Sequence, residues 1–157
     1  MLGTGVKAPD FSLPADDGST VTLAGLKGRK VVLYFYPKDD TSGCTKEACG
    51  FRDSWKDVQR TGAVVLGVSP DGVASHQKFK RKYDLPFPLL ADTDHRVAEA
   101  YGAWGEKSMY GRRYKGILRT TFVIDGEGRI AHVFEKVKPE GHAAVVEVEI
   151  GKLRGAK

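Results

Sequence analysis

Between residues 31 and 53 the chain reads VVLYFYPKDDTSGCTKEACGFRD, which brings a threonine, Thr41, close to two cysteines, Cys44 and Cys49. These residue types at this spacing point to thiol chemistry. A thiolate is the reacting form, and an ordinary thiol near pKa 8.5 is only about 3% ionised at pH 7, so a reactive cysteine needs a setting that favours the ion. The flanking residues supply one. Residues 31–36 are an unbroken apolar run, rich in β-branched and aromatic side chains, that suits a strand buried on both faces. Pro37 has no N–H to give the ladder and ends it. Residues 38–43 are turn chemistry, and residues 45–59 are helix formers with apolar side chains at Ala48, Phe51, Trp55 and Val58, a period close to 3.6. Cys44 is thereby placed in the first helical turn, where unpaired N–H groups and the positive end of the macrodipole favour a thiolate. Complete ionisation gains only roughly 30-fold, about 2 kcal/mol, so other groups must stabilise the charge that develops during reaction. Thr41, three residues earlier, offers a hydroxyl.

Cys49 falls five residues further along the same predicted helix. Helix geometry sets the two Cα atoms about 8.5 Å apart on different sides, beyond the roughly 7 Å limit for a disulfide. The bond therefore requires the helix to unwind. A staple closing so small a loop would contribute only about 2 kcal/mol, against the loss of a helical turn, so a structural disulfide explains the pair poorly.

Pro37, Thr41 and Cys44 match the P-x-x-x-T-x-x-C signature of peroxiredoxins, and residues 35–53, with the second cysteine at plus five, resemble the bacterioferritin comigratory protein or peroxiredoxin Q group. The likeness extends to Gly5-Val6-Lys7-Ala8-Pro9-Asp10-Phe11 and to Arg119-Thr120-Thr121-Phe122-Val123-Ile124-Asp125, so it covers one whole domain, residues 1–157. Position 42 is Ser42 where that group often has proline, which loosens the loop and removes no reacting group. The resemblance implies a thioredoxin-like α/β fold and a thiol peroxidase acting on hydrogen peroxide and organic hydroperoxides. In it Cys44 becomes a sulfenic acid, condenses with Cys49, and is recycled by thioredoxin or a similar dithiol. Arg119 matches the arginine that such proteins place beside the peroxidatic cysteine, Pro37 and Thr41 complete the site, and no metal, haem or flavin is called for. A monomer or weak dimer is the implied assembly.

The remaining elements must hold this site in place. Short strands are predicted at residues 11–13 and 21–23, a buried strand at 63–69 after a C-cap at Gly62, a helix at 75–83, a strand at 87–91 and a short helix at 97–101 with residues 92–94 as caps. Residues 102–116 read as a long irregular connection in which Trp104, Met109 and Tyr110 either line an apolar entrance or pack the loop. Arg119 opens the apolar run 120–124, a hairpin through residues 125–128 leads to a strand at 130–134, and residues 140–153 form a closing helix. The order predicts a central mixed sheet with helices on both faces.

Composition narrows the function further. Lys and Arg total 25 against 20 Asp and Glu, a net charge of +5 that suits an acidic protein partner. Lys78, Lys80, Arg81 and Lys82 read as a solvated helix face, since no nucleic-acid motif accompanies them. No run approaches the 18 or so apolar residues that cross a bilayer, and two cysteines are too few for a secreted disulfide framework, so the expected compartment is the cytoplasm. His76, His95, His132 and His142 show no paired spacing, which argues against zinc. A thiol-disulfide oxidoreductase would ordinarily use C-x-x-C rather than C-x4-C. A redox-sensing binding module is the non-enzymatic alternative, separated by whether the protein removes peroxide catalytically.

Overall fold

The run VVLYF forms β3 (Val31–Phe35), and every residue of it is buried, as a strand with helices over both faces must be. In the computed structural model, which describes residues 2–153, β3 is the centre of a five-stranded sheet. It pairs in parallel with β4 (Val64–Ser69), which pairs in parallel with β5 (Leu89–Ala91). On its other side it pairs antiparallel with β8 (Thr120–Ile124), and β8 with β9 (Ile130–Phe134), giving the order β5-β4-β3-β8-β9.

Alternate residues of a strand face opposite sides, and the core divides accordingly. Val31, Leu33 and Phe35 pack with Phe122 and with Val97, Ala98 and Tyr101 of α4 (Arg96–Tyr101). The N-terminal hairpin of β1 (Ser12–Pro14) and β2 (Thr20–Thr22) closes that face. Val32, Tyr34 and Tyr36 point the other way, under α1 (Ser42–Asp53), α2 (Trp55–Arg60), α3 (Val73–Tyr83) and α5 (His142–Gly151). The mixed α/β sheet with helices on both faces is the expected one.

Three local expectations are corrected. The helix of residues 45–59 begins earlier, at Ser42, and is divided at Ser54, whose backbone (φ −93°, ψ 9°) leaves the helical region before α2 resumes. The short strands at the start lie one residue off the predicted spans. Residues 102–116 are not irregular, since they hold the hairpin of β6 (Trp104–Met109) and β7 (Arg112–Ile117). Its turn residues Tyr110 and Gly111 both have positive φ (53° and 78°), as a tight two-residue hairpin turn demands. Tyrosine is an unusual occupant of the first position, and the largely polar strands carry no apolar alternation to betray them. At the other predicted cap Asp92 accepts from the N–H groups of Val97 and Ala98 and so starts α4.

Candidate active site around Cys44

The sheet register decides what lies at the open end of β3. Phe35 is opposite Thr120, so the residue that enters β8, Arg119, stands beside the exit of β3 towards residues 37–41. The Tyr36 N–H donates to the Val68 carbonyl, and half-buried Pro37 then ends the ladder. Thr41 follows as the N-cap of α1 in an extended conformation (φ −87°, ψ 159°), and the Thr45 N–H closes the first helical turn on its carbonyl at 2.8 Å. Cys44 is the third helical residue and 1% exposed. The N–H groups of this first turn have no partner within the helix.

Arg119 reaches into that turn with both arms of its fork. Nη2 donates to Cys44 Sγ at 3.2 Å and Nη1 donates to Glu47 Oε1 at 2.8 Å. Glu47 lies three residues beyond Cys44, hence on the same helix face, so one cation ties the thiol to the helix that carries it. Gly43 makes room for the fork, since a Cβ there would come within 3.2 Å of Arg119 Nη2 and 3.3 Å of Pro139 Cγ. Burial pushes the Glu47 carboxyl up to about 7 despite the opposing pull of Arg119, and its second oxygen has no hydrogen-bond partner among the described residues. Burial also holds Lys107 of β6 below its ordinary range, helped by Arg119 and opposed by Cys44. His142, at the start of α5, is pushed down to about 4 by burial and by Arg119, and its Nε2 lies 2.8 Å from Thr121 Oγ1.

Cys44 and Arg119 thus meet directly, while Thr41 stands exposed at the N-cap of the same helix with its hydroxyl donating to the Lys38 carbonyl at 3.0 Å. That bond spends the hydroxyl proton locally and leaves its lone pairs to accept. Cys49 is half-buried on the same helix, and both thiols are free. Trp104 packs against the core and stacks on His95 at 3.8 Å, which answers the question about it in favour of packing. Tyr110 is 98% exposed at the hairpin tip. The side chain of Met109 lies outside the described residues. Of the four basic residues on α3, Lys80 pairs with Asp16 and Lys82 with Asp40. Glu47 was legible only as a helix former, although its spacing of three from Cys44 is the signal that would have found it. No three His, Cys, Asp or Glu side chains gather as a metal site among the described residues, and no helix there is long and apolar enough to cross a membrane.

A buried cysteine at a helix start, held by an arginine from the neighbouring strand, defines a thiol enzyme built on a mixed sheet. The AhpC/TSA family model matches residues 4–133. A putative peroxiredoxin Bcp of Coxiella burnetii is 58% identical over 152 residues, 97% of this chain and 99% of the relative. The peroxiredoxin Bcp of Bacillus subtilis is 52% identical over 140 residues, 89% of each. Among solved structures, Xanthomonas campestris peroxiredoxin Q has 37% identity and a TM-score of 0.89 over 95% of this chain and 97% of that one. A second, the X. campestris bacterioferritin comigratory protein described for its alkyl peroxide reduction activity, has 36% identity and a TM-score of 0.90 over 99% and 100%. The chain belongs to the AhpC/TSA family and, within it, to the peroxiredoxins of the Bcp and peroxiredoxin Q group, with the thioredoxin-like fold. It is a thiol-dependent peroxidase.

Proposed function

We propose that Cys44 is the peroxidatic residue and Cys49 its resolving partner in an intramolecular cycle recycled by thioredoxin or a similar dithiol. The observation that carries the reading is the Arg119 fork, which touches Cys44 Sγ at 3.2 Å and Glu47 at 2.8 Å. The thiolate attacks one oxygen of a hydroperoxide, the O–O bond breaks, and the other oxygen leaves as hydroxide or alkoxide and takes up a proton. Charge moves from sulfur to the departing oxygen, so a cation fixed beside the sulfur, with the free N–H groups of the first helical turn, stabilises the transition state more than the ground state. Thr41 takes part as an acceptor for the peroxide O–H, since its own proton goes to Lys38, and Pro37 sets the start of the loop.

The sulfenic acid formed on Cys44 is then attacked by the Cys49 thiolate: the S–S bond forms, the S–O bond breaks, and the departing hydroxide takes up a proton to leave as water. The chain has two cysteines in all, so Cys49 is the one internal thiol available. Substrates are hydrogen peroxide and, from the likeness to the X. campestris protein, alkyl hydroperoxides. We infer a cytoplasmic setting from the small number of cysteines, and a monomer or weak dimer from the likeness to the Bcp and peroxiredoxin Q group. Steady-state NADPH consumption with thioredoxin, thioredoxin reductase and hydrogen peroxide tests the cycle. Turnover proportional to protein is expected, and peroxide consumed once per chain without turnover would refute the recycling.

A further inference from the structure

The loop that delivers Cys44 is tied down from α3, by groups that the peroxide chemistry does not use. Asp39, in the middle of that loop, is buried. Its Oδ1 accepts from the Tyr36 hydroxyl at 2.6 Å, and its Oδ2 from the Ser75 hydroxyl at 2.8 Å. His76 Nδ1 lies 2.7 Å from the same Oδ2, and its Nε2 lies 2.8 Å from the Leu90 carbonyl. A carbonyl only accepts, so Nε2 carries a proton, and Nδ1 facing a carboxylate requires a second proton between ring and acid. His76 is 0% exposed, so this shared-proton contact between ring and acid is closed off from water. The Asp39 N–H donates to Asp71 Oδ2 at 2.7 Å, while Asp40, at φ 59°, accepts from Lys82 Nζ and the Tyr83 hydroxyl, each at 2.8 Å. None of these side-chain bonds reaches α1.

We propose that His76, paired with Asp39, is a positioning residue for Cys44: from α3 it fixes the shape of residues 37–41, and so the point at which α1 starts and from which it unwinds. The inference rests on Cys44 being the peroxidatic residue. Thr41 and the first turn of α1 hang from a loop whose other end is the rigid strand β3, so the α3 contacts set where Sγ meets the Arg119 fork. When α1 opens towards Cys49, the same contacts keep the loop in place, which confines the change to the helix and lets it close again after reduction. Small errors in the placement of a reacting atom are costly, so a loosened loop should slow the first step although no lost group touches peroxide.

Stopped-flow peroxide kinetics and hydrogen exchange on the full chain test this with His76→Asn, the isosteric Asp39→Asn, their combination and Lys80→Ala. The last breaks the 2.9 Å Lys80–Asp16 contact on the same helix without touching the loop. Each of the first two should lower the second-order rate constant ~10-fold or more and speed exchange at residues 37–45. The combination should be no worse than either by more than about twofold, because the two residues act as one unit, and Lys80→Ala should stay within about twofold of wild type. Asp39→Asn carries the same expectation if His76→Asn does not fold. Rates within about twofold of wild type for both loop variants would overturn the inference, as would an equal fall in Lys80→Ala. The exchange arm uses no peroxide, so the clamp and the assignment of Cys44 fail separately: Cys44→Ser with normal peroxide reduction sinks the assignment, and unchanged exchange at residues 37–45 sinks the clamp.

Discussion

Arg119 and Cys44 meet at 3.2 Å, yet they stand on supports of opposite character. Arg119 enters β8, whose five residues are all buried and which is hydrogen-bonded to β3 on one side and β9 on the other. Cys44 stands in the first turn of α1, where the N-cap side chain caps no helix N–H, Thr41 and Ser42 are exposed, and Gly50 weakens the interior by about 1 kcal/mol relative to alanine. What holds α1 is mainly its buried face, with Ala48 and Phe51 fully covered. The difference matches the two halves of the reaction. In the proposed cycle, attack on peroxide needs sulfur against a fixed cation, whereas resolution needs Cys44 to leave it and meet Cys49, whose Cα lies about 8.5 Å away on an intact helix. In that cycle the strand would keep the charge still while the helix lets the cysteine go.

The largest effect should separate the two cysteines. Cys44→Ser should abolish peroxide reduction, whereas Cys49→Ser should still form a sulfenic acid in one turnover and then fail to cycle with thioredoxin, as read by dimedone labelling and mass spectrometry. Equal loss of the first step in both variants would erase the division of labour. Next in size is the fixed half. Arg119→Lys keeps the charge and loses the fork that spans Sγ and Glu47, so the second-order rate constant on the alkaline plateau should fall by roughly 10²-fold, about 3 kcal/mol. A rate within about threefold of wild type would remove Arg119 from the mechanism.

The movable half was far more legible in the sequence than its support. An apolar run, a proline, a turn and a helical period are local signals, and they placed Cys44 in a first helical turn before any contact was known. Arg119 was placed only by resemblance, because its relation to Cys44 arises from strand pairing across 75 residues. Glu47 looked like any helix former, since burial beneath a guanidinium leaves no local pattern. His76 looked unpaired because its partner Asp39 lies 37 residues away. The β6–β7 hairpin was lost for a different reason, as its apolar residues sit mainly at the strand ends, with Trp104 and Ile117 at the base in the core, and its turn begins with tyrosine.

The smaller effects concern two titrating groups beside the site. Glu47, raised from 4.5 to about 7 by burial, binds its proton more tightly when folded, so the stability it leaves to the protein is greatest below 4.5 and falls as pH rises to 7. His142, lowered from 6.5 to about 4 by burial and by Arg119, binds its proton more tightly when unfolded, so stability is lost as pH falls from 6.5 to 4. The two slopes oppose each other over the shared range and hide one another in the wild type. Urea midpoints should expose them. Glu47→Gln should gain stability over wild type as pH rises from 5 to 7, and His142→Asn should gain as pH falls from 6 to 4, each by at most about 3 kcal/mol. Curves parallel to wild type in both variants would mean that neither group is held as described.

The contrast between a fixed strand and a yielding helix is tested most directly by hydrogen exchange on the reduced protein and on the protein oxidised with one equivalent of peroxide. Exchange across residues 44–53 should accelerate on oxidation, because the Cys44–Cys49 bond cannot form on an intact helix, while β8 (Thr120–Ile124) keeps its protection. Equal protection of α1 in both states, or loss of protection in β8 together with α1, would contradict it.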